Sequence, residues 1–182
     1  MNQDTIAFIE TCTKRISLAS GNKLENLFEK YTALYTLYNR LYNESFGQLK
    51  SDNRLTKTRY SDFDRATSLV VEFNTSVDIV KSLKDRNNFS DLQTIADLIK
   101  QDIFSINLAD GIGQRDYDVQ LMNNLESNND DVKAQAALST IYNVRCNMQH
   151  GEKHFEEHQR LLLEPLIRIL QTVVDLQVEK LK

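Results

Sequence analysis

Residues that break regular structure are scarce in this chain of 182, which holds one proline and five glycines. A chain with so few breakers has few ways to end an element, and long helices joined by few turns follow. Cysteine is equally sparse: Cys12 and Cys146 lie far apart and make no disulfide framework, which points to a reducing compartment. No stretch reaches membrane-spanning length, and the opening Met-Asn-Gln-Asp has neither a basic nor an apolar leader region. The expectation is a cytoplasmic protein without a membrane partner. No segment alternates with period two over a useful length and no hairpin signal stands out, which excludes a sheet-based fold. Positive charge is also short, with 22 Lys and Arg against 26 Asp and Glu and a net charge of −4. Backbone affinity for nucleic acid needs cationic density, so a non-specific nucleic-acid coat is excluded, while a small local basic site is not.

What is present is ordinary globular composition, 41% hydrophobic and 26% charged, in a length that suits one domain over 1–182. Ile6, Ile9, Cys12 and Ile16 recur at helical spacing and predict a first helix over 3–19. The strongest period runs from Leu24 through Phe28, Tyr31, Tyr35, Tyr38 and Tyr42, and predicts a long helix with a tyrosine-rich buried face ending near Gly47. Residues 48–60 are polar and locally basic, with Lys50, Arg54, Lys57 and Arg59; they read as a solvated loop, and less readily as a landing strip for phosphate. A third helix is expected over about 61–84, through Ala66, Leu69, Val70, Phe73, Val77 and Val80. Ser90 suits the N-cap of a fourth, and Asp116 that of a short helix over 116–126. Gly111-Ile112-Gly113 lacks the strand and the Gly-Lys-Ser/Thr of a phosphate loop and reads as a connector. The Asn/Asp cluster at 128–131 opens a helix through Ala134, Leu138, Ile141 and Met148. A strongly apolar last helix covers about 156–181, with Pro165 expected to kink it or mark an early turn. The fold class is all-α, with about six to seven helices.

Near the C-terminal end of the chain stands Tyr142-Asn143-Val144-Arg145-Cys146-Asn147-Met148-Gln149-His150-Gly151. It places an arginine, an amide and a histidine where one helix ends and the next begins. Those residue types can cleave RNA without a metal, since a guanidinium holds phosphate and an imidazole exchanges protons near neutral pH. With ten arginines and three histidines in the chain, Arg followed by four residues and His is a short pattern whose surroundings must supply the specificity. On a straight helix the two would lie about 140° apart beyond a full turn, with a rise of about 7.5 Å. A left-handed cap at Gly151, or the same helix from a second subunit, would bring them together.

Tyr-x-x-Arg-x-Asn-x-x-His-Gly on the penultimate helix of an all-α domain resembles the Arg-x(4–6)-His motif of the HEPN superfamily. The aromatic helix Leu34-Tyr35-Thr36-Leu37-Tyr38-Asn39-Arg40-Leu41-Tyr42 and the apolar closing helix resemble that family too, so that the likeness covers about 1–47 and 130–182. It implies an up-and-down helical bundle that dimerises with two motifs facing each other. It further implies a metal-independent endoribonuclease of toxin–antitoxin or anti-phage defence, with RNA as substrate, no cofactor, and an antitoxin or regulatory protein as a further partner. Arg145 and His150 become the catalytic pair, with Asn147 orienting either group. Lys153, Tyr142 and Cys146 are candidates to contact RNA or phosphate. The residue directly after the arginine is typically Asn, Asp or His in that family; here it is Cys146, and the amide follows at Asn147. The alternative is a non-catalytic helical module that dimerises or binds RNA or protein. His154-Phe155-Glu156-Glu157-His158 also matches the H-x-x-E-H pattern of zinc peptidases, but the apolar helix behind it offers only Glu164 early on as a third ligand, and a solvated turn is the better reading.

Overall fold

Helix formation is strongest where the apolar period is strongest. The structure, a computed structural model, describes residues 1, 3–149 and 156–182. Helix α1 spans Gln3–Leu18 and packs along α2, Leu24–Ser51. At 28 residues α2 is about 42 Å long and forms the axis of the fold. Three short helices follow, α3 (Asp62–Ala66), α4 (Ser68–Asn74) and α5 (Ser76–Asp85), and then α6 (Phe89–Lys100). A two-stranded hairpin, β1 (Leu108–Ala109) and β2 (Ile112–Gly113), leads into α7 (Arg115–Glu126) and α8 (Asp130–Gln149). A 3-10 turn at Glu157–Gln159 opens α9, Arg160–Leu181, which makes the most extensive pairing of the fold, against α2. The described residues are all-α apart from this hairpin, and one core joins α2, α6, α8 and α9 through Leu34, Leu41, Ile95, Leu138, Leu166 and Leu170. No helix among the described residues is long and apolar enough to cross a membrane.

Several boundaries differ from those expected. Helix α2 runs straight past Gly47 because its buried stripe does: Leu41, Tyr42, Ser45 and Leu49 are all at most 1% exposed. One exposed mid-helix glycine costs about 1 kcal/mol relative to alanine, less than the roughly 2 kcal/mol that burying Leu49 contributes. The helix ends instead at Asn53, whose φ of 54° is left-handed, with Arg54 N–H donating back to the Leu49 carbonyl at 2.9 Å. The same closure ends α5 at Asn87 (Asn88 N–H to Leu83 O, 2.8 Å) and α6 at Asp102 (Ile103 N–H to Leu98 O, 3.0 Å). In a glycine-poor chain, asparagine and aspartate supply the left-handed caps.

The expected helix over 61–84 is three helices. Ser61 and Asp64 form a reciprocal capping box at the start of α3. Thr75, at φ 68°, ends α4 and caps α5 by accepting from Asp78 N–H. Asn74 is buried beside this break, its carbonyl held by Lys180 Nζ at 2.6 Å. Val77, expected in the apolar stripe, is 60% exposed because the break at Thr75 resets the helical phase. Ser90 lies inside the first turn of α6, which begins after Asn88, and Asp116 lies inside α7. Asp110 and Gly111 both take positive φ and form the two-residue hairpin turn, so 111–113 is more than a connector. Pro165 falls in the second turn of α9, which continues unbroken.

Two polar devices tie the helices together. Four tyrosines of α2, Tyr31, Tyr35, Tyr38 and Tyr42, stack as a buried ladder with successive centroids 6.4, 5.8 and 5.3 Å apart. Tyr31 donates to the Ile141 carbonyl of α8 at 2.6 Å, Tyr38 to the Ala66 carbonyl that ends α3, and Tyr42 to Asp62 Oδ1 at 2.8 Å. The second device is Asp118 of α7, fully buried, whose Oδ1 accepts from Ile106 N–H, Asn107 N–H and Asn107 Nδ2 at 3.1, 2.8 and 2.8 Å. It holds the segment between α6 and the hairpin against α7.

The ladder makes stability sensitive to alkali. Burial, as the leading cause, pushes the phenols of Tyr31, Tyr35, Tyr38 and Tyr42 well up, and that of Tyr142 up to about 12. The unfolded chain gives up its phenolic protons near pH 10, where the folded chain still holds these. The melting temperature should therefore hold steady on the neutral side of about pH 10 and fall steeply above it. Half-buried Tyr60 is shifted down, first by its hydrogen bond with Thr56, and should lead the phenolate absorbance titration. A melting temperature flat through the phenol range would contradict the ladder.

Candidate functional site

Arg145 lies four residues before the end of α8, on the side that faces α2. Its guanidinium sits over the Tyr35 ring at 5.3 Å, and Nη1 approaches Cys146 Sγ at 4.0 Å. Six of the ten arginines (40, 54, 86, 115, 160 and 168) form ion pairs with carboxylates among the described residues, and Arg145 does not. Its Nε is buried with no hydrogen-bond partner among the described residues. Asp62 is close enough to act on it electrostatically, but makes no ion pair with it and accepts from the Tyr42 hydroxyl instead.

The guanidinium opens onto a cleft of about 580 Å³ between α1, α2 and α8. Phe8 and Met148 stand on the flanking helices, and α2 contributes Tyr31 and Tyr35 on one side and Thr32, Thr36, Asn39, Arg40 and Asn43 on the other. No carboxylate is among the described residues that line it. In a chain with more acids than bases, this cleft is locally cationic, and its volume suits a small molecule or one unit of a polymer.

The other sequence candidates are not brought to this cleft. Asn147, on the opposite side of α8, is 5% exposed, and its Nδ2 donates to the Ile106 carbonyl at 3.0 Å. Beside it Asn143 Nδ2 donates to Asn107 Oδ1 at 2.9 Å, so both amides pin α8 to the segment that Asp118 organises. Asn147 is thus placed as a structural residue and not beside Arg145. Tyr142 turns its ring edge-on to Phe63, with centroids 5.2 Å apart, and does not stack on Arg145. Cys146 is half-buried against the guanidinium. His150 and Lys153 lie outside the described residues, as do Gly151 and His154. Of the zinc-like pattern, Glu157 is engaged by Arg160 Nε at 2.6 Å, while His158 stacks on Phe104 and pairs with Glu156 at 3.1 Å. No group of His, Cys, Asp and Glu among the described residues is placed to hold a metal ion. In the basic stretch 50–59, Arg54 is taken up by Glu72 at 2.7 Å and Lys57 lies over the Tyr60 ring at 5.8 Å.

The α2 side of the cleft went unread in the sequence, where its tyrosines counted as core. The signal available was the run Thr32, Thr36, Asn39, Asn43, an uncharged polar stripe at helical spacing directly beside the buried face.

Opposite behaviour of the two motif residues tests this placement. Asn147→Ala should lower stability by about 1–3 kcal/mol, because it leaves the buried Ile106 carbonyl without a donor. Arg145→Gln should stay within about 1 kcal/mol of the parent, having only a cation–ring contact to lose. Urea denaturation reads both, and a reversed order would contradict the assigned environments. No protein-family model, curated protein or solved structure matches this chain.

Proposed function

We propose that this chain is a HEPN-like, metal-independent endoribonuclease that acts as a homodimer, with Arg145 holding the scissile phosphate and His150 exchanging protons. The observation that carries the reading is the guanidinium of Arg145, which among the described residues has no carboxylate partner and lines a cleft to which no acid contributes. A guanidinium left unneutralised in a half-buried place is suited to an anion supplied from outside, and its planar fork matches two non-bridging phosphate oxygens. The sequence puts His150 directly after the last residue of α8.

The chemistry follows from these groups. A ribose 2′-hydroxyl attacks the adjacent phosphorus while a neutral imidazole takes its proton, and an imidazolium gives a proton to the departing 5′-oxygen. The products are a 2′,3′-cyclic phosphate and a 5′-hydroxyl. An unperturbed histidine pKa of about 6.5 makes both imidazole forms available near neutral pH, so one His150 from each protomer serves the two roles. Arg145 stabilises the extra negative charge on the pentacovalent phosphorane. Asn147 has no part in this scheme, since its amide is committed to Ile106. Cellular toxicity, restraint by an antitoxin or regulator, and a role in defence belong to the same reading and rest on the family resemblance.

Incubation with RNA in EDTA tests it. Cleavage should persist in the chelator, spare DNA and leave 2′,3′-cyclic ends. Arg145→Ala and His150→Ala should each lower the rate at least about 100-fold. Equal rates in parent and variants would overturn the assignment, and absence of cleavage from an intact dimer that still binds RNA would favour the non-catalytic module.

A further inference from the structure

Arg145 accounts for one end of the cleft only. At the other end stands Arg40, one α2 turn past Thr36. Its Nε and Nη2 point to Thr5 Oγ1 at 3.3 and 2.7 Å, and Nη2 meets Glu44 at 2.8 Å. A guanidinium carries five N–H donors, so these contacts leave the Nη1 pair uncommitted. Tyr35, whose ring lies under Arg145, also lines this cleft; its hydroxyl is buried, 5% exposed as a residue, and has no hydrogen-bond partner among the described residues. Every other tyrosine of the ladder has found one. A buried hydroxyl without a partner is costly, and one on a residue that lines a cleft, beside a second orphaned donor, Arg145 Nε, marks a place shaped for something else.

Resting on the RNA reading above, we infer that this cleft is a subsite for one unstacked nucleotide of single-stranded RNA next to the scissile phosphate, with Arg40 as a second backbone contact. Two cations on one cleft fit two successive phosphates better than one small anion. Phe8 and Met148 give an apolar flank on which a base can lie, and a nucleotide that enters uncovers the Tyr35 hydroxyl and gives it a partner at the base edge or the ribose. A base held in a duplex cannot enter a pocket of this kind, so single strands are selected. Arg40 is a positioning and binding residue, and Glu44 tempers its charge.

The test uses the full chain and a fluorescent 2′-O-methyl hexanucleotide, which lacks the attacking hydroxyl and is not cleaved, with binding read by anisotropy. Thr36→Trp, at an exposed position on the cleft wall, should fill the pocket and weaken binding about tenfold or more while the melting temperature holds. Tyr35→Phe should weaken binding roughly fivefold and leave stability equal or higher, because its hydroxyl has no partner to lose. Arg40→Gln should lower the slope of log K against log salt by about 0.7, one phosphate contact on a single strand. Glu44→Gln should move affinity the other way, a roughly two- to fivefold gain that a merely structural Arg40 would not produce. The same duplex hexamer should bind at least about tenfold more weakly. Unchanged affinity in Thr36→Trp and Tyr35→Phe, or equal binding of the duplex, overturns the subsite. The two readings fail separately: cleavage that survives Thr36→Trp undiminished sinks the subsite alone, whereas binding that obeys all these changes without any RNA cleavage sinks catalysis and leaves the subsite standing.

Discussion

Buried hydroxyls have to be satisfied, and α2 carries four of them in a row. A tyrosine contributes a large apolar surface to a core only if its O–H finds an acceptor there. That condition arranges much of the fold around α2. Tyr31 fixes α8 through the Ile141 carbonyl, Tyr38 fixes the end of α3 through the Ala66 carbonyl, and Tyr42 fixes its beginning through Asp62. The acceptors on α3 and α8 are thereby held at set heights along one helix. Tyr35, in the middle of the series, is the member without an acceptor, and it is the one whose ring lies under Arg145. The place where the packing rule lapses coincides with the cleft.

How much of this was legible depends on what each signal encodes. Apolar periodicity reports which face is buried, and it found α2, α8 and α9 because each buries one continuous stripe over several turns; it found α1 too, although that helix fully buries only Thr5 and Cys12 and leaves Ile6 of the expected stripe 44% exposed. It says little about where a helix breaks. The stripe over 61–84 stays in helical phase only to Asn74, and the break at Thr75 rests on a positive φ and a side-chain cap that leave no apolar trace. Glycine was weighted too heavily as a terminator. Gly47 sits inside α2, while Asn53, Asn87 and Asp102 do the capping that glycine does elsewhere. The hairpin was missed because strands of two residues are too short to show period two, although Asp110-Gly111 carries the turn preference by itself.

Among the described motif residues, Arg145 lines the cleft and Asn147 does not, a division the sequence could not show. Motif spacing names residue types, and Arg145 is where such a spacing would put a phosphate contact. It does not say which side of α8 each motif member faces. Asn147 is two residues from Arg145, a rotation of about 200°, so an amide that sequence order makes a neighbour is set on the far side and bonded to Ile106. Arg40, Thr36 and Asn39 are more than a hundred positions away in the chain, and only the packing of α2 against α8 makes them part of the same cleft.

The choice of partner for Arg145 has a functional logic that an ion pair would defeat. A half-buried guanidinium needs compensation for the water it has lost, and a carboxylate would supply it while cancelling the charge. The face of Tyr35 supplies part of it through the ring quadrupole and leaves the full positive charge available to a ligand. The nearest candidate for neutralising it, Asp62, is diverted by the Tyr42 hydroxyl, so the ladder both holds the cation and keeps its competitor occupied. In an acidic chain this leaves Arg145 as a cation without a carboxylate partner among the described residues, whereas six of the other arginines hold one.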